Sequence, residues 1–511
     1  VWKVKESQSA KSHNMGALEK IGRGDFHADL THKVQSVSPQ PNFRSMNPMN
    51  PTLRFDRGTL LLEGLKTLPP ALDDGHFRYD ARVDAWRASC EVYAEIAARL
   101  RKMNVADVAP AYPTLTLAPS LAFTPYAHQT EALAAWTSVA GRGVVTLPTG
   151  AGKTLVGIHA LAWAGVAAMT IVPTIDLMHQ WYALLKAAFP DADVGLLGGG
   201  YHDKSPLLVA TYDSAARHME RLGNRYGMLV FDEAHHLPAD FYRVAAEFSL
   251  APFRLGLTAT PERADNREVE LTRLIGPFAY RREAAELAGD ALAPFTIRRV
   301  TVELSAQERI AYEAARAVRD GFLRANNLRL GGLQGWSRFV MLSARSPEGR
   351  QAMRAHQELR RLSHAAPAKL RALELILVEH PTEKTLIFTE DNATAYGISR
   401  RFLIPCLTHQ TLVKERHEIL SAFLHGEYRA LVASKVLNEG VDAPDASIGV
   451  ILSGSSVRRE FVQRLGRLLR RREGKRAVLY EVVAVNTREE GVAARRRPDG
   501  ALHAQPNFLM D

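Results

Sequence analysis

From about residue 120 to 300 the chain alternates short, unbroken apolar runs with longer stretches of helical character. The runs are GVVTL (143–147), AAMTIV (167–172), LLVATY (207–212), MLVFD (228–232) and FRLGLT (253–258), each bounded by turn residues. Strands covered on both faces by helices show no inside–outside alternation, so this rhythm predicts a doubly wound parallel sheet. The same rhythm returns from about 366 in KTLIFTE, YRALVAS, ASIGVILS and AVLYEVVAV. A second parallel-sheet domain is therefore expected, with a cleft between the two.

The remaining stretches read differently. TLRFDRGTLLLEG (52–64) alternates around a turn at Arg57-Gly58, HFRYDARVDAWRAS (76–89) reads as a hairpin, and CEVYAEIAARLRKM (90–103) sets Val92, Ile96, Ala97 and Leu100 on one helical face. These predict a small α+β domain. Pro110, Pro113 and Pro119 then mark a linker. SAQERIAYEAARAVRDGFLRANN (305–327) and GRQAMRAHQELRRLSH (349–364) are helical, with LGGLQGW (330–336) as a break. Residues 1–50 are polar, lack periodicity and hold no apolar core for a secretion signal; they read as a flexible tail or as an extension ahead of a start near Met49. The expected organisation is a tail (1–50), a small N-terminal domain (51–115), a first sheet domain (116–300), a helical insertion (301–365) and a second sheet domain (366–511).

Composition narrows the class. The 511 residues are 46% hydrophobic and 23% charged, enough apolar content for several buried cores. A formal charge of +10, carried mostly by Arg, favours a polyanionic partner. The two cysteines, Cys90 and Cys406, have no CxxC spacing. A disulfide framework and a thiolate zinc site are both disfavoured, and a reducing cytoplasm is expected. ALAWAGVAAMTIVP (160–173) is too short to span a bilayer, so no membrane partner is expected.

The chemistry-bearing stretches sit at strand ends. In VVTLPTGAGKTLVGIHAL a glycine loop joins a strand to a helix. Such a loop turns its amides toward phosphate oxygens, and the helix that follows offers its N-terminal dipole. Pro148, Thr149, Gly150, Ala151 and Gly152 would wrap the phosphates, Lys153 would reach the β- and γ-phosphates, and Thr154 would bind Mg²⁺. The strict G-x-x-x-x-G-K-[ST] pattern fails at its first position, Leu147, which leaves a recognised variant of the loop. MLVFDEAHHLP (228–238) supplies what such a loop requires. Asp232 at the strand tip would hold the Mg²⁺, and Glu233 would orient and deprotonate a water. His235 and His236 lack the H-E-x-x-H spacing of helical zinc sites. His236 reads as a turn residue near Pro238, and His235 as a link from the nucleotide site to other elements.

Together these segments resemble superfamily 2 helicases, and most nearly the XPB-like DNA helicases of archaea and bacteria. YAHQTEAL resembles the adenine-reading Q motif, with Gln129 as reader. LPTGAGKT, IVPTIDLMHQW, VATYDSA, DEAH and LTATP follow in motif order, and then TLIFTED, ASKVLNEGVDAPDASIGVIL and QRLGRLLR. The N-terminal unit resembles that group's damage-recognition domain, and the insertion sits where the group carries its thumb. Where the group has an Arg-Glu-Asp triplet this chain reads PERADNRE, matching only in Arg263 and Asp265.

The resemblance implies two RecA-like lobes, ATP and Mg²⁺ as cofactors, DNA as partner, 3′-to-5′ polarity and a role in repair. A nuclease partner is implied as well. Gln463, Arg467 and Arg470 lie three to four residues apart on one face of REFVQRLGRLLRR, and the two arginines would reach the γ-phosphate. Gly440 and Asp442 would contact the ribose. Thr174, Thr211 and Thr389 are candidates for holding nucleic-acid phosphates, contacts that carry no sequence information. Readings left open are a duplex translocase that does not unwind, an RNA helicase, and an ATP-switched nucleic-acid-binding scaffold.

Overall fold

The computed structural model describes residues 51–120, 124–263, 265–330, 332–434, 446–454, 468 and 474–495. The expected tail, 1–50, lies outside them. The N-terminal unit is a five-stranded sheet in the order β3-β4-β2-β1-β5, from β1 (Thr52–Asp56), β2 (Thr59–Glu63), β3 (Arg78–Asp80), β4 (Ala85–Ser89) and β5 (Ala106–Asp107). Arg57 and Gly58 both adopt positive φ, 46° and 80°, the twist that a two-residue hairpin turn requires. A Cβ on Gly58 would lie 2.4 Å from the Phe248 ring, so this turn is pressed against the next domain. Arg273 and Glu91 pair across the same junction at 2.5 Å.

The first large sheet has eight strands in the order β13-β6-β12-β11-β7-β10-β8-β9. They are β6 (Arg142–Thr146), β7 (Ala168–Val172), β8 (Val194–Gly198), β9 (Tyr201–His202), β10 (Leu207–Thr211), β11 (Met228–Asp232), β12 (Phe253–Thr258) and β13 (Phe278–Arg281). All its pairings are parallel except β8 with β9. Every residue of β7, β8, β10 and β11 is buried, as the unbroken apolar runs predict.

One run hides a charge. Arg254 of β12 is 1% exposed, and its guanidinium donates to the carbonyls of Ala246 (3.1 Å), Ser249 (2.9 Å), Ala251 (3.3 Å) and Leu274 (2.5 Å). Burial lowers its pKa to about 9. Four backbone carbonyls around the strand thus share the donors of one buried guanidinium.

The second large sheet is β14-β19-β18-β15-β17-β16, all parallel. Its strands are β14 (Phe295–Val302), β15 (Thr385–Thr389), β16 (Cys406–Leu407), β17 (Ala430–Ser434), β18 (Ile448–Ile451) and β19 (Ala477–Ala484). The sequence reading ends the first sheet domain at 300. Instead, residues 295–302 form the edge strand of the second sheet, in register with β19 from Phe295↔Ala477 to Val302↔Ala484. The partner lies far along the chain, so nothing local announces the assignment. The helices Ala306–Ala325, Gly332–Ser343 and Pro347–His364 follow β14. Ser305 and Glu308 form a capping box at the first of them. Among the described residues no helix is long and apolar enough to cross a membrane.

Candidate nucleotide site

The register of the first sheet brings three strand ends level. Thr146 pairs with Thr258 across β6 and β12, and Asp232 pairs with Leu257 across β11 and β12. The glycine loop leaves β6 at this level. Gly150 and Gly152 have φ of 89° and 77°, a left-handed backbone that side-chain-bearing residues adopt at a cost. A Cβ on Gly152 would lie 2.2 Å from Gln129 Nε2.

Gln129 supports this loop from behind. Its Nε2 donates to the Ala151 carbonyl at 3.0 Å, and its Oε1 accepts from the Tyr126 amide at 3.0 Å. His128 Nε2 lies 2.8 Å from the same Ala151 carbonyl. Both side chains are 3% exposed. His128 is a residue that sequence reasoning missed. Its only signal was its place beside the glutamine.

Lys153 opens the helix Lys153–Ala164, with Thr154 half-buried next to it. The Lys153 ammonium donates to the carbonyls of Leu147 (3.2 Å) and Pro148 (3.5 Å). Among the described residues the buried hydroxyls of Thr146 and Thr149 have no hydrogen-bond partner. A loop whose left-handed glycines free its amides to turn inward, an ammonium that among the described residues bonds carbonyls, and an orphaned Thr149 hydroxyl together suit the oxygens of a phosphate chain.

Asp232 is 6% exposed. One carboxylate oxygen accepts from the Glu233 amide at 3.0 Å and the other from the Trp181 indole N–H at 2.7 Å. Each oxygen keeps a further lone pair, so the donor set suits a hard cation. Burial raises the Asp232 pKa, while the Trp181 hydrogen bond and the charge of Lys153 act against it. Trp181 was legible only as an apolar residue of IVPTIDLMHQW. It also meets the phosphate-loop helix, where a Cβ on Gly157 would lie 2.7 Å from its ring.

Glu233 takes a left-handed backbone, φ 47°, and its Oε2 lies 3.5 Å from His235 Nδ1. That nitrogen is also 3.1 Å from Thr258 Oγ1, which in turn accepts from the Thr260 amide at 3.3 Å. His235, wholly buried, ties the DEAH turn to LTATP. His236 closes the short 3₁₀ turn Ala234–His236, donating its amide to the Glu233 carbonyl at 3.0 Å. Arg263 donates to the His235 carbonyl and pairs with Asp265 at 2.7 Å.

Three threonines have local partners. Thr174 and Thr211 cap the helices Ile175–Ala188 and Tyr212–Leu222, accepting from Leu177 N (3.3 Å) and Ser214 N (3.2 Å). Thr389 is fully buried, its hydroxyl donating to the Asp391 carbonyl at 3.2 Å, so it presents nothing to a nucleic acid in this conformation. Gly440, Asp442, Gln463, Arg467 and Arg470 lie outside the described residues. Their neighbour Leu468 is fully buried on β18, where a Cβ on Gly449 would fall 2.5 Å from it. An ion pair between Asp176 and Arg416, 3.5 Å, joins the two sheet domains on the helix that follows Thr174.

Three family models match in order. They are the Xeroderma pigmentosum group B helicase damage recognition domain (53–108), the type III restriction enzyme res subunit (122–263) and the helicase conserved C-terminal domain (368–472). A DNA 3′-5′ translocase XPB2 from Sulfurisphaera tokodaii is 42% identical over 72% of this chain and 84% of that protein. The chain belongs to the XPB-like superfamily 2 helicases. These are ATP-hydrolysing enzymes. A DNA 3′-5′ helicase XPB from Mycobacterium tuberculosis is 31% identical to this XPB-like chain over 70% of its length, which spans 60% of that longer relative. The helicase domain of Hef from Pyrococcus furiosus shares the fold, with a TM-score of 0.51 and 19% identity over 73% of this chain and 98% of that one.

Proposed function

We propose that this chain is an ATP-driven, 3′-to-5′ DNA motor acting in repair in the cytoplasm. The observation that carries the reading is the meeting of Lys153, Asp232 and Glu233 at the C-terminal strand ends of one sheet, with Trp181 joining Asp232 to the helix that Thr174 caps. Lys153 neutralises phosphate charge, Glu233 orients water and accepts its proton, and Gln129 holds the loop in its binding form. Thr154 and Asp232 would hold Mg²⁺, which would supply positive charge against the phosphates. Arg467 and Arg470 are assigned to the same phosphates, Gly440 and Asp442 to the ribose and Gln463 to the nucleotide, on the family resemblance; all five lie outside the described residues. Backbone amides at the N-termini of the helices capped by Thr174 and Thr211 grip DNA phosphates.

The test is phosphate release with and without single- and double-stranded DNA. DNA stimulates the wild type strongly, and Glu233→Gln abolishes turnover while keeping nucleotide binding. Loss of DNA stimulation in the wild type would instead favour a switched scaffold, and stronger stimulation by RNA would favour an RNA substrate.

Movement on duplex DNA without unwinding is the second reading. Arg263 and Asp265, the remnant of the family triplet, bind each other at 2.7 Å. Triplex displacement without release of a labelled strand is the outcome that selects it. A nuclease partner belongs to the same proposal, checked by whether the chain alters the rate at which a purified structure-specific nuclease cuts branched DNA.

A further inference from the structure

The helix Tyr212–Leu222 is capped by Thr211 at the end of β10, and its first residue, Tyr212, is 1% exposed. The Tyr212 ring packs among Phe231, His236 and Tyr242, with ring centroids 6.5, 6.0 and 5.4 Å away. Its hydroxyl donates to the backbone carbonyl of Asp232 at 3.1 Å. Burial, then the charges of Asp232 and Glu233, hold its pKa well above the ordinary tyrosine range. The hydroxyl therefore keeps its proton and remains a donor.

That carbonyl belongs to the peptide that joins Asp232 to Glu233. The N–H of the same peptide donates to Asp232 Oδ1 at 3.0 Å, and the Trp181 indole holds Oδ2 at 2.7 Å. The peptide is thus fixed through both its C=O and its N–H. Glu233, the next residue, has a left-handed backbone, φ 47°, which a residue with a Cβ keeps only where its surroundings impose it. The plane of this peptide sets the direction in which the Glu233 side chain leaves the strand end.

Two helices therefore reach one residue. Trp181 comes from the helix capped by Thr174 and Tyr212 from the helix capped by Thr211, the pair of helix ends assigned above to DNA phosphates. Trp181 sits in mid-helix and meets the Asp232 side chain. Tyr212 follows its cap directly and meets the backbone. Its ring is packed on several sides, so a shift of that helix end carries the hydroxyl with it.

We propose that Tyr212 is a positioning residue for hydrolysis, passing the occupancy of the Thr211-capped helix end by DNA to the Asp232–Glu233 peptide and so to the aim of the Glu233 carboxylate. Glu233 acts on the water, and Tyr212 acts through Glu233. On the motor reading, on which this role rests, Tyr212 is what makes turnover depend on DNA.

Tyr212→Phe keeps the ring and removes the hydroxyl. Phosphate release by the full chain is measured with and without a saturating single-stranded oligonucleotide, well below the Tm of the variant. The ratio of stimulated to unstimulated turnover is expected to fall by about fivefold or more, the weight of one hydrogen bond. A hydroxyl that only braced the fold would lower both rates by one factor and leave the ratio unchanged. A second readout needs no turnover. Oligonucleotide affinity is measured by fluorescence anisotropy with and without a non-hydrolysable ATP analogue. Coupling between two sites is reciprocal, so the factor by which the analogue changes that affinity moves toward one in Tyr212→Phe. With a wild type that DNA stimulates, an unchanged ratio or an unchanged factor overturns the role of Tyr212 and leaves the motor reading standing. A wild type that DNA fails to stimulate overturns both.

Discussion

In the first sheet β6 runs out into a glycine loop and β11 ends on a buried carboxylate. In the second sheet the equivalent ends carry neutral hydroxyls that are already bonded. Thr389 closes β15 against the Asp391 carbonyl, Ser434 ends β17 on Asn392, and Ser453, just past β18, accepts from the Glu390 amide at 2.9 Å. The second domain keeps its charges in pairs instead. Lys369 and Glu489 are 0% and 4% exposed, with Lys369 also donating to the Leu452 carbonyl at 2.6 Å, and Arg299 pairs with the buried Glu481 at 3.0 Å. Similar scaffolds thus divide the work. One holds ionisable groups open to a ligand, and the other holds them closed on itself.

Breaking that contrast should give effects in a definite order. Glu233→Gln is the largest, a fall of about 10²–10⁴ in DNA-stimulated turnover, the range for losing a general base. Lys369→Met is next, and it acts on folding rather than chemistry. Leaving Glu489 buried without its partner costs about 3–5 kcal/mol in chemical denaturation, and the double exchange Lys369→Met with Glu489→Gln recovers part of it.

Asp391 and Asp232 then sharpen the comparison through pH. Burial would raise Asp391, but hydrogen bonds from His364 and Thr394 outweigh it and hold its carboxyl well below the usual aspartate range. Its contribution to stability is therefore present at neutral pH and is lost as pH falls through that depressed pKa. Asp391→Asn costs about 1.5–3 kcal/mol at pH 7, the worth of bonds to a charged group, and the difference from wild type vanishes in strong acid. Asp232 has the opposite sign. Its raised pKa means that stability is greatest below the usual aspartate range and declines as pH rises through the folded pKa.

Trp181→Phe removes the indole donor from Asp232. Its pKa rises further, so the acid limb of the turnover profile moves to higher pH. Arg416→Ala is the smallest. The pair with Asp176 has 19% and 41% exposed side chains and contributes about 0–1 kcal/mol, read as a small shift in denaturation midpoint.

The parts of this molecule that were legible in the sequence are those whose physics is local. Unbroken apolar runs give buried parallel strands, and a strand, a glycine loop and a helix in succession point to a candidate phosphate loop, so the strand and helix ends that carry Lys153, Thr154, Asp232 and Glu233 could be placed by neighbours alone. Trp181 could not, because its role depends on a carboxylate fifty-one positions away that only the sheet brings near. The burial of Arg254 was not legible either, since its partners are the carbonyls of Ala246, Ser249, Ala251 and Leu274, which only the fold gathers. Thr389 fitted a nucleic-acid contact by position, and packing put it in the core. The end of the first sheet domain was misread for the same reason, because β14 finds its partner at 477–484.

That last strand has a mechanical consequence. The chain joins the second sheet at β14, leaves it to build the helices from Ala306 to His364, and comes back to it at β15. Those helices are thus anchored to one body at both of their ends. Any displacement of that body would therefore carry the helices with it.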